Sequence, residues 1–182
     1  VQTLTNRRKE VMIRPFTLLA SALALSACAT TGTAPRATAQ LQSTSGNTAM
    51  GSVSFIQSGD KVIVAGVVSG LVPNAEHGFH VHDNGNCSSG DGMSAGQHFN
   101  PRKHHHGHHP GMGRHAGDLT NLKADANGVA RFSFEAEDLA IGSGPTDIVG
   151  RGLIVHRYPD DYVTQPMGSA GPRVACAVIV RS

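Results

Sequence analysis

From Met50 onward the chain alternates short apolar or β-branched runs with clusters of Gly, Pro, Asn and Asp. In Gly51-Ser-Val-Ser-Phe-Ile56, Val53 and Phe55 alternate with serine, the period that puts them on one face of a strand. Ser58-Gly59-Asp60 supplies a turn, and Lys61-Val-Ile-Val-Ala-Gly-Val-Val68 reads as the second arm of a hairpin. Further strand-like runs are 78–82, 129–135, 152–156 and 174–180, with a turn signal at Asp125-Ala-Asn-Gly128. Nothing after residue 48 holds a helical period for more than about two turns, so residues 49–182 are expected to form an all-β sandwich or barrel. Two Gly/Pro-rich segments, 83–117 and 157–172, interrupt the strands. Loops that long in a compact domain usually carry function.

The first 48 residues read differently. Arg7, Arg8, Lys9 and Arg14 precede the apolar run Phe16–Leu25, which is about half of the ~20 residues that cross a bilayer and so matches a signal-peptide core. The run ends in Leu25-Ser26-Ala27-Cys28, which resembles the bacterial lipobox, after which the Cys is lipidated and becomes the mature N-terminus. An ordinary signal peptide cut near Ala27 or Ala29 would leave Cys28 as a free thiol. Leu, two small residues and Cys in register at the end of the apolar stretch favour the lipobox. Residues 1–27 are therefore expected to be a signal peptide. Residues 28–48 are expected to be a lipidated Cys and a flexible tether, because Thr, Ala, Ser and Gln bury too little surface to fold. This predicts a periplasm-facing lipoprotein of the bacterial cell envelope that touches membrane only through its anchor. Ala29 in place of Asp after the lipid Cys points to the outer membrane.

Composition then narrows the function. With 182 residues, 39% hydrophobic and 4% aromatic, the chain suits one domain plus appendages. The formal charge of +2 belongs to the leader, since residues 28–182 hold 11 basic and 12 acidic groups. No basic arm for nucleic acid is implied. The three cysteines are an odd number, and lipidation of Cys28 leaves two.

All eleven histidines lie between His77 and His156. His80 and His82 share one face of a strand, where they can chelate one metal. His98, the tract His104, His105, His106, His108 and His109, then His115-Ala-Gly-Asp118, and finally His156 supply further ligands. One metal could take imidazoles only and another imidazoles with the Asp118 carboxylate, donor sets that suit copper and zinc.

Five segments in order, Gly78-Phe-His-Val-His82, His98-Phe-Asn-Pro101, Arg114-His-Ala-Gly-Asp-Leu119, Gly152-Leu-Ile-Val-His156 and Gly168-Ser-Ala-Gly-Pro-Arg-Val-Ala-Cys176, resemble copper,zinc superoxide dismutase. The resemblance runs from about residue 50 to 180. It implies an eight-stranded Greek-key β-barrel with long metal-binding and active-site loops. It also implies an enzyme that converts superoxide to O₂ and H₂O₂ at copper.

Carried over by residue, the resemblance gives copper to His80, His82, His98 and His156. It gives zinc to His98, His106, His115 and Asp118, with His98 bridging the metals and carrying a proton. His104, His105 and His108 stand as alternatives to His106. Asp160 would hydrogen-bond His80 and His106, and Arg173 would attract and orient superoxide. Cys87 and Cys176 would form a disulfide, which suits an oxidising compartment. His77 would be a packed structural residue and Asp161 a solvated neighbour. The four remaining loop histidines read as solvated loop composition, or else as an auxiliary metal-capturing site. The other functional class open to such a chain is a metal buffer without turnover. The presence of every ligand, Arg173 and Asp160 favours the enzyme. A homodimer is left open, since no interface motif is legible.

Overall fold

The structure, a computed structural model, describes residues 33–111 and 113–182, together with Gln2 and Thr3. The signal-peptide and Cys28 readings lie outside these residues. The described chain contains ten strands: β1 Arg36–Ser43, β2 Met50–Ser58, β3 Lys61–Ser69, β4 Glu76–His77, β5 Phe79–His82, β6 Leu122–Lys123, β7 Ala130–Ala136, β8 Gly152–His156, β9 Arg173–Val178 and β10 Val180–Arg181. No α-helix occurs among the described residues.

Eight of the strands form one curled antiparallel sheet in the order β5-β8-β9-β1-β2-β3-β7, with β10 paired to β1. Neighbours such as β9–β1 and β3–β7 are distant in sequence, the mark of Greek-key crossovers. The expected hairpin is present, with Ser58 opposite Lys61 around a two-residue turn. A two-stranded ladder, β4–β6, pairs His77 with Leu122.

One expectation is corrected. The segment read as a tether supplies β1, and Ala37, Ala39 and Leu41 on one of its faces are each no more than 1% exposed. β1 pairs with β2 along Arg36↔Ile56 to Leu41↔Gly51, and with β9 at Gln42↔Cys176 and Ser43↔Ala175. It is the central strand joining the two halves of the sheet. Small side chains suit that place, so a test based on large apolar groups misses it. The folded unit accordingly begins at Thr33 and not at residue 49.

On the inner face, Val53, Phe55, Val62, Val64, Phe79, Val81, Leu153, Val155, Ala175 and Ala177 belong to the main core cluster. Strands β5 and β8 are buried on both faces. Phe79 and Val81 point into the core, so by alternation His80 and His82 face the opposite way, where the two long loops cover them.

Candidate metal centre

The site is assembled by loop segments laid along β5. Val81 N–H donates to the Gly117 carbonyl at 3.0 Å, Phe99 N–H to the Val81 carbonyl at 2.8 Å, and Gly117 N–H to the Phe99 carbonyl at 2.9 Å. These bonds place Asp118 opposite His80 and His98 opposite His82. A Cβ on residue 117 would lie 2.2 Å from the Val81 carbonyl oxygen, so the close approach requires glycine. β8 ends at His156, which pairs with Arg173 at the start of β9.

His80, His82, His98 and His156 form one group whose donor atoms all lie within 4.8 Å of one another, every residue buried. Their hydrogen bonds decide which nitrogen is free. His82 Nδ1–H donates to the Gly96 carbonyl at 3.0 Å and His156 Nδ1–H to the Gly171 carbonyl at 3.0 Å. His80 Nε2–H donates to Asp160 Oδ2 at 2.8 Å. A carbonyl can only accept, so each partner fixes the tautomer and leaves a lone pair on the other nitrogen. Those other atoms, His80 Nδ1, His82 Nε2 and His156 Nε2, together with His98 Nε2, are buried without a hydrogen-bond partner. Four orphaned acceptors aimed at one point are what a metal ligand set requires, since an unpaired buried polar atom is otherwise costly. Burial pushes the His80 and His82 rings far below the ordinary imidazole range, with neighbouring imidazoles adding to the effect. It lowers His156 to about 3 despite the Gly171 carbonyl. The cluster is therefore held neutral, the ligating form.

His98, His106, His115 and Asp118 form the second group, also buried and also within 4.8 Å. Three Nδ1 atoms converge on Asp118 Oδ1, from His98 at 2.9 Å, His106 at 3.0 Å and His115 at 3.2 Å. Asp118 Oδ2 accepts the backbone N–H groups of Gly107 at 3.1 Å and His115 at 3.0 Å, which fixes the carboxylate. Burial alone would raise the Asp118 pKa, but hydrogen bonds from His106, His115 and His98 hold it far below the usual carboxylate range. Burial would likewise lower His106, yet Asp118 and Asp160 outweigh it and carry this ring to about 9. An anionic carboxylate enclosed this way demands a cation. His98 belongs to both groups, one nitrogen to each.

Asp160, 2% exposed, ties the groups together. Its Oδ2 accepts His80 Nε2–H and its Oδ1 accepts His106 Nε2–H, both at 2.8 Å. Residue 168 must be glycine here, at φ 66° and with a Cβ position 1.8 Å from Asp160 Oδ1. Two residues with no sequence signal complete the support. Asn121 Nδ2 donates to the Asp160 carbonyl and Asn121 Oδ1 accepts its N–H, both at 3.0 Å. Gln165 clamps the His106 backbone, accepting its N–H at 2.8 Å and donating to its carbonyl at 2.9 Å.

Arg173 points its fork at two carbonyls, Nη1 to Gly92 and Nη2 to Gly96, both at 2.6 Å. The loop bearing these carbonyls is stapled to β9 by a Cys87–Cys176 disulfide with Cα atoms 5.8 Å apart. Arg173 and His156 share a pocket of about 300 Å³ between the two loops.

The structure separates the remaining histidines. His77, 1% exposed, donates from Nδ1 to the His156 carbonyl at 2.8 Å. Within the tract His106 is the ring that joins the second group. His104 Nδ1 meets the Arg114 carbonyl at 3.2 Å, His108 packs on Tyr162 at 4.3 Å, and His109 is buried with Nδ1 3.1 Å from Thr120 Oγ1. His105 is exposed. Among the described residues these four form no shared metal-binding group, so a single auxiliary site is not built here. Asp161 is exposed but also shapes its turn, accepting the N–H groups of Val163 and Thr164 at 2.9 and 2.8 Å.

Fold and site together define an all-β protein with two adjoining metal-binding groups that share one imidazole. The family profile described as copper/zinc superoxide dismutase (SODC) matches residues 49–179. The chain is 45% identical to the Cu-Zn superoxide dismutase of Saccharomyces cerevisiae over 118 residues, 62% of this chain and 75% of the relative. It is 41% identical to that of Paramecium bursaria Chlorella virus 1 over 135 residues, 71% of each. The crystal structure of the clock protein EA4 superposes with a TM-score of 0.74 at 39% identity, covering 82% of this chain and 96% of that one. The chain belongs to the copper/zinc superoxide dismutase family. It is an oxidoreductase of that family, using copper and zinc in the dismutation of superoxide.

Proposed function

We propose that copper is held by His80, His82, His98 and His156 and zinc by His98, His106, His115 and Asp118. The observation that carries this reading is the set of orphaned nitrogens: four neutral imidazole lone pairs in one group, and three imidazoles around one carboxylate in the other. Bound copper supplies the one-electron exchange with superoxide that zinc cannot.

The chain's own residues do the rest. Arg173 attracts the anion into the pocket above His156 and orients it there. Asp160 holds the His80 and His106 rings through Nε2, which leaves Nδ1 of each turned toward its metal group. His98 Nε2, buried and without a protein partner, is the atom at which a proton can be held and returned. Gly96 and Gly171 carbonyls lock the rings of His82 and His156.

The protein acts in the bacterial cell envelope, protecting it from superoxide. Residues 1–27 direct export, Cys28 carries the lipid that anchors the domain to the outer membrane, and the disulfide suits an oxidising compartment. Metal analysis tests the site assignment. His82→Ala is expected to lose copper and keep zinc, while His115→Ala loses zinc first. Retention of both metals in both variants defeats it. Labelling with radioactive palmitate in a bacterial host tests the anchor: incorporation is expected and Cys28→Ser removes it, whereas an unlabelled wild-type chain rules it out.

A further inference from the structure

The pocket above His156 and Arg173 is lined by two methionines, Met93 and Met167. The described chain contains three methionines in all, so two of them stand at this opening. Cys87 and Cys176 are tied to each other, which leaves the two thioethers as the soft donors at this place. Both are anchored through groups that serve the site. Met93 N–H donates to Asp91 Oδ1 at 2.9 Å, and the preceding residue, Gly92, gives its carbonyl to Arg173. Met167 precedes Gly168, the residue packed against Asp160 and His106. Met93 is 58% exposed and Met167 half-buried, so both thioethers can be reached from solvent. His156, buried and lining the same pocket, presents an Nε2 with no partner.

A channel built to attract an anion is poorly suited to admit a metal cation, because the Arg173 guanidinium that draws superoxide repels copper. Thioethers offset that repulsion selectively, since soft sulfur donors favour Cu(I) over zinc and over harder ions. We infer that Met93 and Met167 form an entry site for Cu(I), receiving the ion at the mouth of the channel and passing it to His156. Neutral sulfur donors are exchanged for neutral nitrogen donors, so the ion stays Cu(I) and neither electron nor proton is needed. The inference rests on the assignment of copper to the His80, His82, His98 and His156 group.

The test is the rate at which zinc-loaded, copper-free protein takes Cu(I) from its coloured bicinchoninate complex without oxygen. Met93→Leu/Met167→Leu conserves volume and hydrophobicity, and is expected to slow Cu(I) uptake at least tenfold while Cu(II) uptake keeps its rate. With a second equivalent of Cu(I), X-ray absorption is expected to show sulfur neighbours in the wild type and none in the variant. Equal Cu(I) uptake by the two proteins, each ending with one bound copper, overturns the entry site alone. A shell of nitrogen and oxygen only for the second equivalent does the same. Failure of the wild type to take up copper at all brings down the copper assignment, and the entry site with it.

Discussion

Replacing Asp160 by Asn perturbs the carboxylate that links a ring of one metal group, His80, to a ring of the other, His106. Each carboxylate oxygen accepts one imidazole N–H at 2.8 Å, in a place 2% exposed to solvent. Asn keeps the shape but offers one acceptor and one donor, so one ring N–H must face an NH₂ group. Losing a hydrogen bond to a buried charged group costs roughly 1.5–3 kcal/mol. About 1.4 kcal/mol is a factor of ten, so the affected metal should bind roughly 10- to 100-fold more weakly. Zinc should suffer more than copper. His80 is held by its strand pairing to Ile154, whereas His106 sits in a loop and depends on Asp160 and Gln165 for its position. Chelator competition titrations of wild type and Asp160→Asn, run separately for zinc and copper, measure this directly. A zinc affinity within twofold of the wild type would refute the view that Asp160 sets the His106 tautomer.

Three further outcomes follow from the same contacts. Leu41→Ala should lower stability by about 2–5 kcal/mol in urea unfolding, because Leu41 is 1% exposed in the central strand; no effect would return residues 36–43 to a tether. Arg173→Lys should reduce the dismutation rate on the order of tenfold with both metals still bound, because an ammonium cannot hold the Gly92 and Gly96 carbonyls as the guanidinium fork does; an unchanged rate counts against its orienting role. In metal-free protein, burial lowers His156 to about 3 and His109 to about 4, against about 6.5 in the unfolded chain. The unfolded state then binds protons first, and stability should fall from pH 6.5 toward pH 4 by up to about 1.4 kcal/mol per pH unit for each group. His106, raised to about 9, acts oppositely: its contribution is complete below pH 6.5 and is lost as pH rises through 9. Denaturant midpoints at pH 5, 7 and 9.5 should therefore peak near 7, and a flat profile contradicts the burial argument.

The residues of the two buried groups were legible in the sequence because a set of donors for one ion restricts both residue type and order. His80 and His82 follow from the two-residue period and Asp118 from its place after His115, whereas Asp160 came from the family resemblance. Within the His104–His109 tract the family resemblance picks out His106, and in the structure that ring meets Asp160. The other loop histidines looked like a common pool, yet each has different surroundings fixed by packing that no local pattern encodes. β1 escaped notice because its buried face is Ala, Ala and Leu, a composition shared with flexible linkers. Its burial comes from pairing with β2 and β9, partners far away in sequence. Gln165 and Asn121 were illegible for a related reason: amides support the site through the backbone groups they meet, and nothing in their residue type announces it.

The central claim is that the two groups, joined through His98, work as one centre that removes superoxide. It is tested most directly by following superoxide decay with protein carrying one copper and one zinc, beside His82→Ala loaded in the same way. Rapid, copper-dependent decay in the wild type, lost in His82→Ala while zinc stays bound, is the expected result. Decay that is independent of copper, or undiminished in His82→Ala, would contradict it.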